Sequence, residues 1–269
     1  MAVVSGLKMA SSEFPSATAW RVDFAENFPT AATAGTDLAV TRGCPVEIWE
    51  GEIVQIGYEP VHLPGASFTF AGSIDGSVGC SGSAIVRAIE AIGNYAENRW
   101  YTINYEIVGN GLLTFGSASA SDSSLPTLVC PAGKAVKIGA NAIDNVRMWS
   151  VRLEREILTY VSSGSSGARQ AVAGAKTATV TIDCWLSDDA LPAKNTYHDI
   201  TIEVGTSETP PAWKLENFIL SEVRNYGVDL GDAGNRNNLP MYRLVFVHVP
   251  ASSKVIKTPG NAQFWPTAT

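Results

Sequence analysis

Histidine and cysteine are scarce in this chain, with three and four among 269 residues. Cys44, Cys80, Cys130 and Cys184 form no C-x-x-C pair and have no histidine at ligand spacing, which leaves no zinc site to propose. They read as small core thiols, although Cys44 and Cys130 each precede proline and suit loops. Their even number permits disulfides but fixes no pairing. His62, His198 and His248 fall in different predicted elements without a triad pattern, and His248, inside an apolar run, reads as a structural imidazole. No G-x-S-x-G is present, and Gly133-Lys134 lacks the Ser or Thr of a phosphate loop. No stretch approaches the roughly 18 apolar residues of a membrane helix, and the N-terminus lacks a basic region followed by an apolar one. The expectation is synthesis in the cytoplasm with no membrane partner.

Positive charge is also in deficit. The 19 Lys and Arg against 26 Asp and Glu give a net charge of -7, which argues against adhesion to nucleic acid through phosphates. Asp188-Asp189 and the group Glu47, Glu50 and Glu52 supply carboxylates of the kind a glycosidase needs, but sequence does not show them converging. The expectation is therefore no enzyme, no catalytic residues, no metal and no cofactor. Of the seven tryptophans, Trp49, Trp100, Trp149, Trp185 and Trp213 fall inside predicted strands, where core or interface packing is the commoner use than sugar stacking.

What is present is β pattern. Val46–Trp49, Ile53–Ile56 and Ala66–Phe70 read as strands, and residues 99–108 place Tyr101, Ile103, Tyr105 and Ile107 on one side. Between them, Ser83–Asn98 carries Ile85, Ala88, Ile89, Ile92 and Ala96 at helical spacing, which predicts a flanking helix capped by Ser81 or Ser83. In Asn145–Val161, Trp149, Val151, Leu153 and Ile157 oppose Ser150, Arg152, Glu154 and Glu156. From 177 onward, Ala178, Val180, Ile182 and Cys184 alternate with Thr177, Thr179, Thr181 and Asp183. Strands over 199–204, 213–223 and 241–249 follow.

Landmarks recur in order. Trp49, Gly65-Ala66, Ser73-Ile74-Asp75 and Glu106-Ile107-Val108-Gly109 are echoed by Trp149, Gly174-Ala175, Thr181-Ile182-Asp183 and Ile202-Glu203-Val204-Gly205. This predicts a mainly β chain of two related units: an N-terminal arm or extended loop at 1–45, a first domain at 46–139, a second at 140–250 and a C-terminal extension at 251–269.

The run Asp144-Asn-Val-Arg-Met-Trp-Ser-Val-Arg-Leu-Glu154, the loop Ser162-Ser-Gly-Ser-Ser-Gly167, the strand Val172 to Asp183 and the later Trp213-Lys-Leu-Glu-Asn-Phe-Ile resemble the tail tube proteins of tailed bacteriophages. The resemblance covers about residues 142–250, with a weaker match in the first half. It implies two tandem tail-tube-like β-sandwich domains, each with a flanking helix or helical turn. Three such chains would form a pseudo-hexameric ring, and stacked rings would make a conduit for viral DNA in the virion tail, assembled in the host cytoplasm. The partners implied are other copies of the chain and the tape measure, tail terminator, baseplate and sheath proteins, with DNA passing through without specific binding.

On that reading Glu154, Glu156, Thr179, Thr181, Asp183, Asp199 and Glu203 line the lumen. Ser162, Ser163, Gly164, Ser165, Ser166, Gly167 and Arg169 form a ring-stacking loop. Two other readings stand beside it: a phage capsid decoration protein and a carbohydrate-binding β-sandwich protein.

Overall fold

The computed structural model describes residues 7–9, 12–13, 17–27, 30–31, 40–41, 46–73, 79–97, 99–116, 135–164, 168–185, 191–204, 209–226, 241–251 and 254–265. Every regular element among them is a strand. In chain order these are β1 (Leu7–Met9), β2 (Ser12–Glu13), β3 (Ala17–Asn27), β4 (Thr30–Ala31), β5 (Val40–Thr41), β6 (Val46–Ile56), β7 (Ser67–Ser73), β8 (Gly79–Asn94) and β9 (Thr102–Gly116). There follow β10 (Val136–Ile138), β11 (Asn141–Ile143), β12 (Val146–Tyr160), β13 (Gln170–Trp185), β14 (Tyr197–Glu203), β15 (Ala212–Tyr226), β16 (Met241–His248), β17 (Ile256–Lys257) and β18 (Gln263–Trp265). Apart from the small β4–β5 hairpin, all of them join in a single sheet of antiparallel ladders.

The helix expected at 83–98 is instead the strand β8, and a bulge explains the misreading. Ala84 and Val86 face the main core, the register shifts between Val86 and Ala88, and Ile89 and Ala91 then carry the core face onward. The extra residue turns a period of two into an apparent helical spacing. Ile85 packs on the opposite face with Val108, Ala171 and Ile157. Both faces of β8 are thus partly apolar, because side chains pack on each of them.

The sheet contains the same ladder twice. In the first unit the neighbours run β3-β6-β9-β8-β7-β1-β2, and in the second β12-β13-β16-β15-β14-β10-β11. The registers of the three long pairs, β3-β6-β9-β8 and β12-β13-β16-β15, agree. Trp20 faces Ile53 as Trp149 faces Ile182, and Ile53 faces Tyr105 as Ile182 faces Leu244. Carried one strand further, the β8 bulge at Val86/Ala88 falls on a matching bulge in β15 at Leu220/Glu222.

This repeat is not the one the landmarks suggested. Trp49 lies in the second long strand of its unit and Trp149 in the first, so Trp149 answers Trp20. The range expected as an arm, 1–45, contains β3, which pairs along the length of β6. The range expected as a C-terminal extension contributes β17 and β18, whose Ile256 and Phe264 belong to the main core.

The units meet in a ladder rather than at a linker. β8 pairs with β7 over Gly79–Ile85, and the same edge then takes β12 over Ala88–Asn94. Eight strands, β3-β6-β9-β8-β12-β13-β16-β15, therefore form one continuous stretch. β7 and the β14-β10-β11 group lie over its apolar side. Trp20 packs edge-on against Phe70, although β3 and β7 are four ladder steps apart, and a cavity of about 460 Å³ is lined jointly by Ile138, Ile143, Tyr242 and Leu244.

Candidate functional site

Alternation leaves the other side of the eight-strand stretch mostly polar, apart from an apolar patch of Ile85, Val108, Ala171 and Ile157. Register partners in a sheet share a face, and the row Arg21, Glu52, Glu106, Ala88, Glu154, Thr177 runs straight across six strands. A second row, Asp183, Arg243, Arg224, continues over the last three.

Ion pairs bind this face together across strands. Arg87 of β8 reaches Glu106 at 3.1 Å and Glu50 at 3.3 Å. Arg152 of β12 passes over β8 to Glu106 at 2.8 Å and also meets Glu154 at 3.3 Å. Burial alone would raise the Glu106 pKa, but Arg152 and Arg87 outweigh it and hold the carboxyl below its usual range. Burial opposes the charge of Arg152 too, and Glu106 and Glu154 more than restore it. Arg243 grips Asp183 through two bonds of 2.7 and 2.8 Å, the bidentate geometry a guanidinium provides.

The structure brings Glu154, Thr179, Thr181 and Asp183 onto this face, as alternation in the sequence predicted. Asp183, however, is buried beneath Arg243, so the guanidinium is what meets solvent there. Glu156 sits in the irregularity between Arg155 and Ile157, where alternation breaks, and is exposed beside Gly174. Asp199 and Glu203 lie elsewhere. They belong to β14, in the group over the apolar side, and lie away from the buried Ile200 and Ile202. Glu203 pairs with Lys137 at 2.6 Å, and Asp199 accepts the Asn217 amide.

Of the loop expected to stack rings, Ser162, Ser163 and Gly164 are exposed, while Ser165, Ser166 and Gly167 lie outside the described residues. Arg169 is held within the chain: its carbonyl accepts the Gly111 amide, its amide donates to Glu47, and its guanidinium lies 3.9 Å from Glu50. Several of the carboxylates considered for acid/base chemistry hold other partners. Glu47 accepts the Leu113 amide, Glu50 serves Arg87, and Asp188-Asp189 lie outside the described residues.

By sequence, the chain matches no protein-family model and no curated protein. Its geometry has to speak for itself. The arginines that tie the face together, Arg87, Arg152 and Arg243, were not among the expected site residues. Their signal was present as charged positions alternating with apolar ones, but their carboxylate partners lie on strands distant in sequence.

Proposed function

We propose that this chain is a structural subunit that assembles by itself into rings and stacked tubes, and that it is a tail tube protein of the tailed-phage kind. Each seven-strand ladder is read as one tail-tube-like β-sandwich domain. Three chains of two domains then give a pseudo-hexameric ring whose lumen conducts DNA. The observation that carries this reading is the matched pair of ladders fused edge to edge into one sheet, since a chain that already joins two like units by strand pairing contains the junction a ring would repeat. Closure of such a ring also removes unpaired strand edges, which otherwise invite aggregation.

The polar face supports the conduit part of the reading. Its arginines are neutralised by carboxylates, while among the described residues Glu52 and Glu90 have no ion-pair partner, so the face offers phosphates little to hold. In this reading the protein performs no catalysis, resides in the virion tail and meets the tape measure, terminator, baseplate and sheath proteins at the ends and outer wall of the tube. Negative-stain microscopy with mass measurement on the purified protein tests it. Threefold rings or stacked tubes are expected, and a chain that stays monomeric at high concentration overturns it.

A further inference from the structure

The internal repeat specifies which edges would meet between chains. In the first unit β8 is longer than its neighbour β7, and the uncovered half of that edge receives β12. In the second unit β15, the counterpart of β8, is covered by β14 only as far as Ile219. Among the described residues, nothing pairs with the stretch from Glu222 to Tyr226 on that side. The counterpart of β12 is β3, which among the described residues has β6 on one edge and no partner on the other. We propose that β15 of one chain receives β3 of a second copy in the arrangement by which β8 receives β12 within the chain. This rests on the self-assembly part of the reading above and is independent of what the tube carries.

The matching bulges fix the register. Within the chain Glu154 faces Ala88, Leu153 faces Ile89 and Arg152 faces Glu90. The corresponding partners between chains are Ala25 with Glu222, Phe24 with Val223 and Asp23 with Arg224. Asp23 meets Arg21 and Arg224 meets Glu222 on their own strands; set opposite each other, Asp23 and Arg224 repeat the opposed charges of Arg152 and Glu90 with the signs exchanged.

Apolar surface agrees with charge. Leu153 and Ile89 are fully buried at the internal junction, whereas Phe24 is 39% exposed and Val223 is only half-buried. Beside Phe24 lies an apolar cavity of about 260 Å³ lined by Trp20, Val22, Phe24, Cys80 and Phe115. Phe115 itself is exposed and meets Phe24 edge-on. A second copy seated on β3 would cover this surface. The contact is head to tail, the type that generates rings.

Directly opposed residues in an antiparallel pair bring their Cα atoms to about 4.5–5.5 Å, within disulfide reach. Within one chain, β3 and β15 stand seven ladder steps apart, roughly 34 Å along the sheet. A chain carrying Asp23→Cys and Arg224→Cys is expected to give dimers and trimers on a non-reducing gel after mild oxidation, with neither single variant doing so. Asp23→Arg alone should reduce assembly, and adding Arg224→Asp should restore it. If the wild-type protein assembles but the cysteines do not cross-link and the charge variants have no effect, the proposed edges are wrong while self-assembly stands. If the wild-type protein is monomeric at high concentration, both readings fail.

Discussion

Arg152 and Glu106 are joined at 2.8 Å although they lie on strands that are not neighbours, with β8 running between them. The pair links the second unit to the middle of the first and does so on the polar face. Both side chains are about one-third exposed, so the interaction falls between an exposed pair worth about 0–1 kcal/mol and a buried one whose disruption costs about 3–5 kcal/mol. Arg152→Ala should lower stability by roughly 1–2 kcal/mol, read from urea unfolding. Because Glu106 is held below its ordinary value of 4.5, the folded state favours its charged form. Its contribution is present above that pH and is lost as pH falls through the lowered value. The Arg152→Ala chain should consequently lose less stability than the wild type on acidification below about pH 4.5.

Gly93 and Trp149 face each other at the same junction. A Cβ on Gly93 would stand 2.5 Å from the indole ring, which is closer than atoms approach without displacement. Gly93→Ala should destabilise by about 1–3 kcal/mol, the usual effect of overpacking, instead of giving the small gain expected where a strand glycine has room. Adding Trp149→Phe should recover part of the loss. The coupling energy from a double-mutant cycle measures this directly, and simple additivity would show that the ring and the glycine do not constrain each other.

The parts of this fold legible from sequence are those where alternation runs unbroken. Trp149, Val151 and Leu153 on β12, and Ala178, Val180, Ile182 and Cys184 on β13, were assigned to the correct face because each apolar residue has a polar neighbour. β8 mimics helical spacing because a bulge sits in the middle of an otherwise regular strand and because Ile85 packs on the face opposite the main core. The sequence landmarks pair Trp49 with Trp149, whereas the ladders pair Trp20 with Trp149. Trp49 has Ala178 at its structural counterpart, so the shared property is inward direction rather than residue type. The ion-paired face was only half visible. Glu154, Thr179 and Thr181 follow from local alternation, whereas the meeting of Arg152 with Glu106 depends on how distant strands are ordered.

His248 supplies a pH dependence on the neutral side. Its imidazole is buried against Phe218 and Trp265, with neither ring nitrogen hydrogen-bonded among the described residues, and burial pushes its pKa below the ordinary 6.5. His62, stacked on Phe68, is shifted the same way by burial. In both, the unfolded chain takes up a proton first. Stability should therefore hold above about pH 6.5 and decline as pH falls through that value toward the lowered folded-state pKa. His248→Phe should flatten this slope in urea midpoints measured from about pH 8 to about pH 5, with His62 accounting for the remainder.

The conduit reading makes its own demand on the polar face. Thr179 and Thr181 face the same side as Glu154, and neither position carries an ion pair needed for the junction. Replacing both by lysine adds two cations per chain, repeated in every ring of a tube. If this face lines a lumen, such tubes should assemble to normal length yet retain DNA in a salt-dependent way, because each phosphate contact releases counterions and weakens as salt rises. Ejection from particles built with the variant should slow at low salt and recover at high salt. Normal ejection at every salt concentration, with the lysines shown to be present in assembled tubes, would place this face away from the DNA path while leaving the strand-paired assembly untouched.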